Sequence, residues 1–552
     1  MPVASPFEPL RIEQTDLLTY LFPPGRHVSD KPIWVDANNP ERSLSPSQIL
    51  QWIKRLAIGL DKVGCARGQV VLIYTPNHIF VPAAYMATVG SGRIFSGANP
   101  AYSEPELLHQ LRDTGAQVLL VHPSLVRTAI SASQKAGLAT DRIFLFSDQE
   151  HRPVGGVRDW REMIGSPEQA GSYQWKRMAG DESKGTVATV NYSSGTTGLP
   201  KGVCISHCSL ISNAEQAMYM RYAFKERTPE RWAGFLPLYH AYGQLYVNIL
   251  ALKLQVTVYI MKQFVYEDFL RVLETYRINS LQVAPPILVM MSKRPETSRY
   301  DLSSLEDITC GAAPLSKELA DDIVRRFKVA LHQGYGMTEL TCAAIVMPGG
   351  ADEVEDNTGC VGQLCPNTEC VLRDDDGNEV SSGQPGEMYI RGPQVCLGYW
   401  RNDQASKETL SLDGWLRTGD VAVERDGWFW IVDRKKELIK VNGLQVAPAE
   451  LEAVLLEHED IADAAVVGVA LRGEEWPRAY VSLKGDKKGT STEKQIQDWM
   501  KGKVARYKQL VGGISIVDEV PKLQSGKIMR KVLRQWASRD APALEAKVTA
   551  KL

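Results

Sequence analysis

The chain has 552 residues, with 63 lysines and arginines against 65 aspartates and glutamates, a formal net charge of −2. That length exceeds what one hydrophobic core organises, and the balanced charge offers no broad basic field for nucleic acid. The nine cysteines, an odd number dispersed over a long chain, argue against a disulfide scaffold.

The opening segment "MPVASPFEPLRIEQ" has acidic residues and prolines but no apolar stretch, unlike a secretory signal. No apolar run is long enough to span a bilayer. In "SLSPSQILQWIKRLAIGLDKVG" the residues Leu50, Ile53, Leu56, Ala57 and Leu60 form a stripe closing on Gly64, which predicts an amphipathic helix. The runs "GQVVLIYTPN", "GAQVLLVHP" and "RIFLFSD" end in turn residues and are expected as buried parallel strands. Strands alternating with helices imply an open α/β sheet with helices on both faces.

The rhythm resumes after Lys184. "TVATVNY" leads into "SSGTTGLPKG", "WAGFLPL" into Tyr239-His240, "LEDITC" into Gly311-Ala312-Ala313-Pro314, and "FKVALHQGYG" into Met337-Thr338-Glu339. Ligands of open α/β sheets bind past the carboxyl ends of the strands, so four such clusters suggest one shared crevice. The first cluster, Ser193 to Lys201, combines hydroxyls, glycines and one lysine, a set suited to phosphate. It is not a Walker A loop, since Lys201 follows Pro200 and precedes Gly202. The competing reading is a flexible surface turn; its expected place between a buried strand and the helix "LISNAEQAM" favours polyphosphate. Glu339 beside Thr338 could hold Mg2+ while the hydroxyl bonds a phosphate oxygen, or the pair could cap a helix. His240 is either a packed histidine or a gate in the crevice. Cys360, Cys365 and Cys370 lack the paired spacing of zinc sites and read as buried thiols.

From Gly359 the strands shorten: "ECVLRDDDGNEV", "GEMYIRG" and "GWFWIVD" describe a small β-rich subdomain. Asp420 in "GWLRTGD" could accept both hydroxyls of a ribose, or be a plain turn aspartate. A boundary at Asp433–Lys436 divides the chain into 1–433 and 434–552, the second a small α+β unit with a helix opened by Pro448. "PKLQSGKIMRKVLR" sets Lys527 after Ser525-Gly526, where a tight turn can aim it into a neighbouring site. Arg530, Lys531 and Arg534 read as a solvated helix face. The closing Ala550-Lys551-Leu552 is close to the Ser-Lys-Leu address, which makes a peroxisomal import receptor an expected partner and the peroxisome an expected location.

Taken in order, "YSSGTTGLPKGV", "GYGMTE", "GWLRTGD", "DRKKELIKVNGLQVAPAELE" and "QSGKIMRK" resemble the adenylate-forming superfamily of acyl-CoA ligases, luciferases and peptide-synthetase adenylation domains. The resemblance runs from the helix near Leu50 to Arg534. Within it, "GEMYIRG", "PLYHAYG" and "VAPAELE" are most similar to 4-coumarate–CoA ligases. It implies a large N-terminal domain of stacked α/β subdomains plus a small β subdomain, followed by a small mobile α+β domain. It also implies a two-step reaction, in which an acid and Mg-ATP give an acyl-adenylate that CoA converts to a thioester.

By matched position, Ser193, Ser194, Gly195, Thr196, Thr197, Gly198 and Lys201 would hold the β- and γ-phosphates. Thr338 would contact the α-phosphate and Glu339 would bind Mg2+. Ala312, Ala313, Tyr335 and Gly336 would line the adenine slot, and Asp420 and Arg434 would take the ribose. Lys527 would lie across carboxylate and phosphate, with Lys440 and Gln445 supporting the adenylate. Lys436 would be the hinge that brings Gly443 and Leu444 to the CoA thiol. The acyl pocket would be lined by His240, Ala241 and Tyr242, by Gly311 and Gly336, and by Cys342 and Ala343. Coumarate-type ligases usually carry Pro-Val at the last two positions. These small residues leave room for an aryl, arylalkanoic or medium-chain acid. Rival readings are a module loading a separate carrier protein, a luciferase-like oxidase, and a nucleotide-binding protein without catalysis. The string "VGGISI" resembles a carrier attachment site but lies inside the second domain, with too little chain after it for a carrier unit.

Overall fold

The computed structural model describes residues 2–193, 200–224, 229–313, 315, 317–349, 359–441, 444–471, 474–485, 492–522 and 527–549, the last with side chains to Glu545. Ser194, Gly195, Thr196, Thr197, Gly198 and Gly443 lie outside the described residues, as does the tail Ala550-Lys551-Leu552.

The first expected helix forms over Pro46–Lys62, opened by Ser45 and Gln48 bonding reciprocally. Its buried stripe begins at Ile49, and Leu50 is only half-buried. Ile49 lies nearer the centre of the face shared by Ile53, Leu56 and Leu60, so the expected stripe holds from Ile53 to Leu60 and only its first member differs. The apolar runs become the wholly buried parallel strands Val70–Tyr74, Val118–Val121 and Ile143–Leu145.

Two large sheets result. One has eight strands, with Ile94–Ala98 between Val187–Ser193 and Val70–Tyr74. The other has nine, and Ala330–Tyr335, Asp307–Cys310, Ser280–Val283, Arg231–Gly234 and Thr257–Ile260 run parallel at its centre. The largest core cluster joins residues of both sheets, Val71 and Phe95 with Trp34, Trp232 and Val258, through helices that include Val81–Gly90. Each sheet carries a further apolar cluster of its own. The four expected strand ends therefore divide between two sheets, which approach each other closely. A Cβ on Gly97 of the first sheet would lie 2.7 Å from the Tyr239 side chain of the second.

One expectation about the phosphate loop is corrected. Ser193 pairs directly with Lys201, which opens a second, antiparallel strand, Lys201–Ser206; the helix begins only at His207. The ladder explains why: Val203 and Ile205 are fully buried, so this segment fills a sheet position before the chain can turn.

Antiparallel strands Glu369–Arg373, Pro385–Arg391, Leu416–Arg425 and Trp428–Arg434, with Val3–Ala4 at the edge, form the small β subdomain. Beyond it come a hairpin, Ile439–Val441 with Leu444–Val446, and a sheet of Ile461–Leu471, Glu474–Leu483 and Ile514–Ile516. Helices Pro448–Glu457, Glu493–Lys501 and Arg530–Thr549 accompany that sheet, whose cores draw on residues from Ile439 onward. Among the described residues no helix is long and apolar enough to cross a membrane.

Candidate active site

Glu339 sits in a short turn, Thr338–Leu340, just past the strand ending at Tyr335. It is 5% exposed, and burial raises its carboxyl above the usual carboxylate range. One oxygen accepts the Tyr399 hydroxyl at 2.9 Å. The Lys201 ammonium stands 5.0 Å from the centroid of the same Tyr399 ring, so tyrosine links the end of the phosphate loop to the carboxylate. Thr338 is half-buried beside them. Tyr399 was not legible as a site residue, because nothing in "LGYWRN" marks it.

The second corner is built by pairing across the small β subdomain. Asp420 lies opposite Arg434 in the ladder, with 3.4 Å between carboxylate and guanidinium. The Tyr335 hydroxyl donates to Asp420 at 2.6 Å. Burial raises the Asp420 carboxyl, and Arg434 and Tyr335 oppose that shift. Ala312 holds φ at +75°, a left-handed conformation that side chains seldom adopt and that concentrates at functional sites. Ala313 beside it is exposed.

At the third corner His240 caps the turn Ala241–Gly243, its Nδ1 accepting the Tyr242 N–H at 3.3 Å. Burial, helped by the Lys527 charge, lowers the imidazole to about 4, so His240 is neutral at physiological pH. The Tyr242 hydroxyl donates to the Thr309 carbonyl at 3.1 Å. A Cβ on Gly311 would meet nothing closer than the Gly334 carbonyl at 3.7 Å, whereas one on Gly336 would lie 1.7 Å from the Cys342 carbonyl. Gly336 therefore admits the close approach of the Cys342-Ala343 segment. Cys342 is half-buried; the other eight cysteines, Cys360, Cys365 and Cys370 among them, are buried free thiols.

Lys527 enters this cluster from the C-terminal unit. It is half-buried. Burial and the Arg434 charge lower its pKa, while Asp420, Glu339 and Glu437 pull it back up. A single ammonium thus sits in the field of both carboxylates and bears in turn on His240. The unit that carries it is held by contacts the sequence did not reveal. Lys293, at the end of the helix Pro285–Lys293, donates to the Leu456 and Ile461 carbonyls at 3.1 and 3.0 Å. The Asp433 carboxylate accepts the Ala449 N–H at 3.0 Å.

Arg530 corrects the expected solvated face. Its side chain is 12% exposed and ion-paired with both Glu437 and Glu452. Lys531 is exposed, as expected, and Arg534 is half-buried. The motif's basic spacing could not distinguish these three, because only the tertiary fold brings carboxylates from two other segments against the helix start.

Lys440 and Gln445 face each other across their hairpin, both exposed with Leu444. Among the described residues no hydrogen bond or ion pair joins Lys440 or Gln445 to Glu339, Asp420 or Lys527. Lys436 is exposed in the turn after Arg434, where the Glu437 and Leu438 N–H groups both return to the Arg434 carbonyl.

Residues 24–400 match the family described as AMP-binding enzyme, and residues 450–527 match the AMP-binding enzyme C-terminal domain. A probable 4-coumarate–CoA ligase of Dictyostelium discoideum is 34% identical over 92% of this chain and 93% of its own. A phenylacetyl-CoA ligase of Aspergillus niger is 33% identical over 94% of this chain and 96% of its own. The solved structure of an anthranilate CoA ligase in complex with anthranoyl-AMP superposes with a TM-score of 0.84 at 24% identity, covering 98% of this chain and 99% of that one. It supports the fold alone.

Proposed function

This chain belongs to the AMP-binding enzyme family and is an AMP-forming acid–CoA ligase, and we propose that it activates an aryl, arylalkanoic or medium-chain acid through an acyl-adenylate. The observation that carries this reading is the Lys527 ammonium, brought from a separate unit into the joint field of Glu339 and Asp420.

In the first step the acid's carboxylate oxygen attacks the α-phosphorus of ATP. The bond from that phosphorus to the bridging oxygen breaks, and pyrophosphate leaves with the electron pair. Two anions must meet, and a fixed ammonium between them offsets the charge that accumulates, an effect of a few kcal/mol. In the second step the CoA sulfur attacks the acyl carbon, its proton goes to solvent, and AMP departs. Asp420 and Arg434 suit the ribose, and Ser193 to Lys201 suits the departing phosphates. Neutral His240 borders the carboxylate without adding charge.

Glu339 fits a magnesium ion. It is a buried carboxylate with one oxygen on a tyrosine hydroxyl, and among the described residues no cluster of three acidic, histidine or cysteine side chains competes for a cation. Magnesium commonly takes one or two carboxylates and completes its shell with phosphates and water, whose charge it neutralises.

The small Ala241, Cys342 and Ala343, with Gly311, support an aryl or medium-chain occupant, whereas the room expected at Gly336 is taken by the Cys342 carbonyl; the names of the relatives favour an aryl acid. A division at 433/434 with Lys436 as hinge gives the remaining matched residues their place: a turn of the second domain would bring Gly443 and Leu444 inward for the thioester step, while Lys440 and Gln445 would support the adenylate. The test is a panel of aryl, arylalkanoic and fatty acids with ATP, Mg2+ and either CoA or a holo-carrier protein. Acid-dependent pyrophosphate release and a CoA thioester by mass are expected. Silence across the panel, or transfer to the carrier alone, refutes the reading.

A further inference from the structure

Between Glu339 and the Cys342-Ala343 wall stands a residue that no part of the proposed chemistry uses. Thr341 has φ +65° and ψ −53°. The Cys342 N–H returns to the Leu340 carbonyl at 2.7 Å, closing a γ-turn of the rare, strained hand. A β-branched residue at positive φ is a genuine outlier, and such strain persists only where the surroundings over-determine it.

The surroundings here are neutral and buried. Thr341 is 4% exposed, and its hydroxyl donates to the Gln394 carbonyl at 2.7 Å. The fully buried Gln394 side chain accepts from Gln216 at 3.0 Å and donates to Thr368 at 2.9 Å. Gln216 in turn accepts from Asn213 at 3.2 Å. Asn213 closes the circuit on the far side of the turn: it donates to the Ala343 carbonyl at 2.6 Å and accepts the Ala343 N–H at 3.1 Å. Cys342 is thus suspended between a strained turn and a two-point clamp, with its carbonyl pressed against Gly336.

We propose that Thr341 is a specificity-determining positioning residue, which with Asn213 fixes how far the Cys342-Ala343 wall projects into the acyl pocket. The inference rests on the proposed acyl site. Its physical content is that the hydroxyl bond to Gln394 holds a backbone conformation that glycine would adopt freely and threonine alone would leave. The wall then has one position, and the largest acid accepted follows from it.

Three variants test this. Thr341→Val removes the hydroxyl and keeps the strain, Thr341→Ser keeps the hydroxyl, and Asn213→Ala opens the clamp. The first readout is kcat/KM across the acid panel. Thr341→Val and Asn213→Ala should move the ratio between larger and smaller acids by about tenfold, the scale that pocket room for a methylene commands. KM for ATP should stay near wild type, and Thr341→Ser should restore the wild-type ratio. Equal losses for all acids, or a matching rise in KM for ATP, would mean a merely structural role and overturn the proposal.

The second readout needs no turnover. Cys342 is half-buried where the other eight thiols are buried, so its alkylation by N-ethylmaleimide, read by peptide mass, reports the wall directly. The rate should rise about fivefold in Thr341→Val and stay near wild type in Thr341→Ser, since burial holds the Cys342 thiol protonated and a displaced wall admits both water and reagent. An unchanged rate in a folded Thr341→Val protein overturns the assignment. A wild-type chain that activates no acid refutes the proposed activity instead, while the alkylation rates still decide for or against Thr341's hold on the wall.

Discussion

The wall of the proposed acyl pocket and the seat of the C-terminal unit are held by opposite means. The wall depends on backbone conformation and neutral bonds: the turn at Thr341, the Asn213 clamp, and the approach of Cys342 to Gly336. The seat depends on charge, with Lys527 in the field of Asp420 and Glu339, Lys293 on two carbonyls, and the Asp433 carboxylate on the Ala449 N–H. Neutral buried bonds are short-ranged and indifferent to salt, so they suit a shape that must not vary. Charged contacts trade desolvation against attraction and come out nearly balanced, which suits the proposed domain turn.

The largest expected effect tests the charged side. Lys527→Ala should lower acid-dependent pyrophosphate release at least about a hundredfold while leaving conversion of preformed adenylate to thioester within a few-fold, because the ammonium acts only where the two anions meet. Equal losses in both half-reactions would dissolve the distinction. Next comes the neutral side. Gly336→Ala places a methyl against a backbone carbonyl that cannot swing away, and about 3 kcal/mol of stability should be lost in denaturant unfolding, at low and high salt alike. A variant as stable as wild type would mean that the wall yields.

The smallest effect sharpens the comparison through pH. Seating strips water from the Lys293 ammonium, and with Lys484 nearby its pKa falls from 10.5 to about 8; Asp463, itself paired with Lys522, pulls weakly the other way. Because the seated pKa is the lower one, the cost of burying the charge is full below about 8 and is relieved as pH rises towards 10.5. The neutral amine still has two hydrogens for its two carbonyls. Seating, followed by energy transfer between labels on the two units, should therefore tighten across that window. Lys293→Met should abolish the slope and weaken seating by about 1 kcal/mol. A slope that survives the substitution belongs to another group.

Legibility followed the range of the interaction. Wherever a local pattern sufficed, the reading held: the apolar runs became strands, Pro448 opened its helix, and the clusters at Gly311 and Thr338 fell at strand ends. Where a partner was far along the chain, it failed or was silent. Arg530 finds Glu452 78 residues away and Lys293 finds Leu456 163 residues away, and neither pairing leaves a mark in the neighbouring residues. The strand Lys201–Ser206 was read past because the hydroxyls, glycines and lysine before it drew all the weight.

Residue type and order alone determined the stacked α/β architecture and the family, since periodicity is a property of the chain and the motifs are contiguous. They also marked Glu339, Asp420 and Lys527 as candidates. Only the tertiary structure decided that these three share one field, that Tyr399 links Glu339 to Lys201, and that a threonine stands in a conformation suited to glycine. Each of those facts is a distance or an angle set by packing among segments remote in sequence, and packing exists only once the chain has folded.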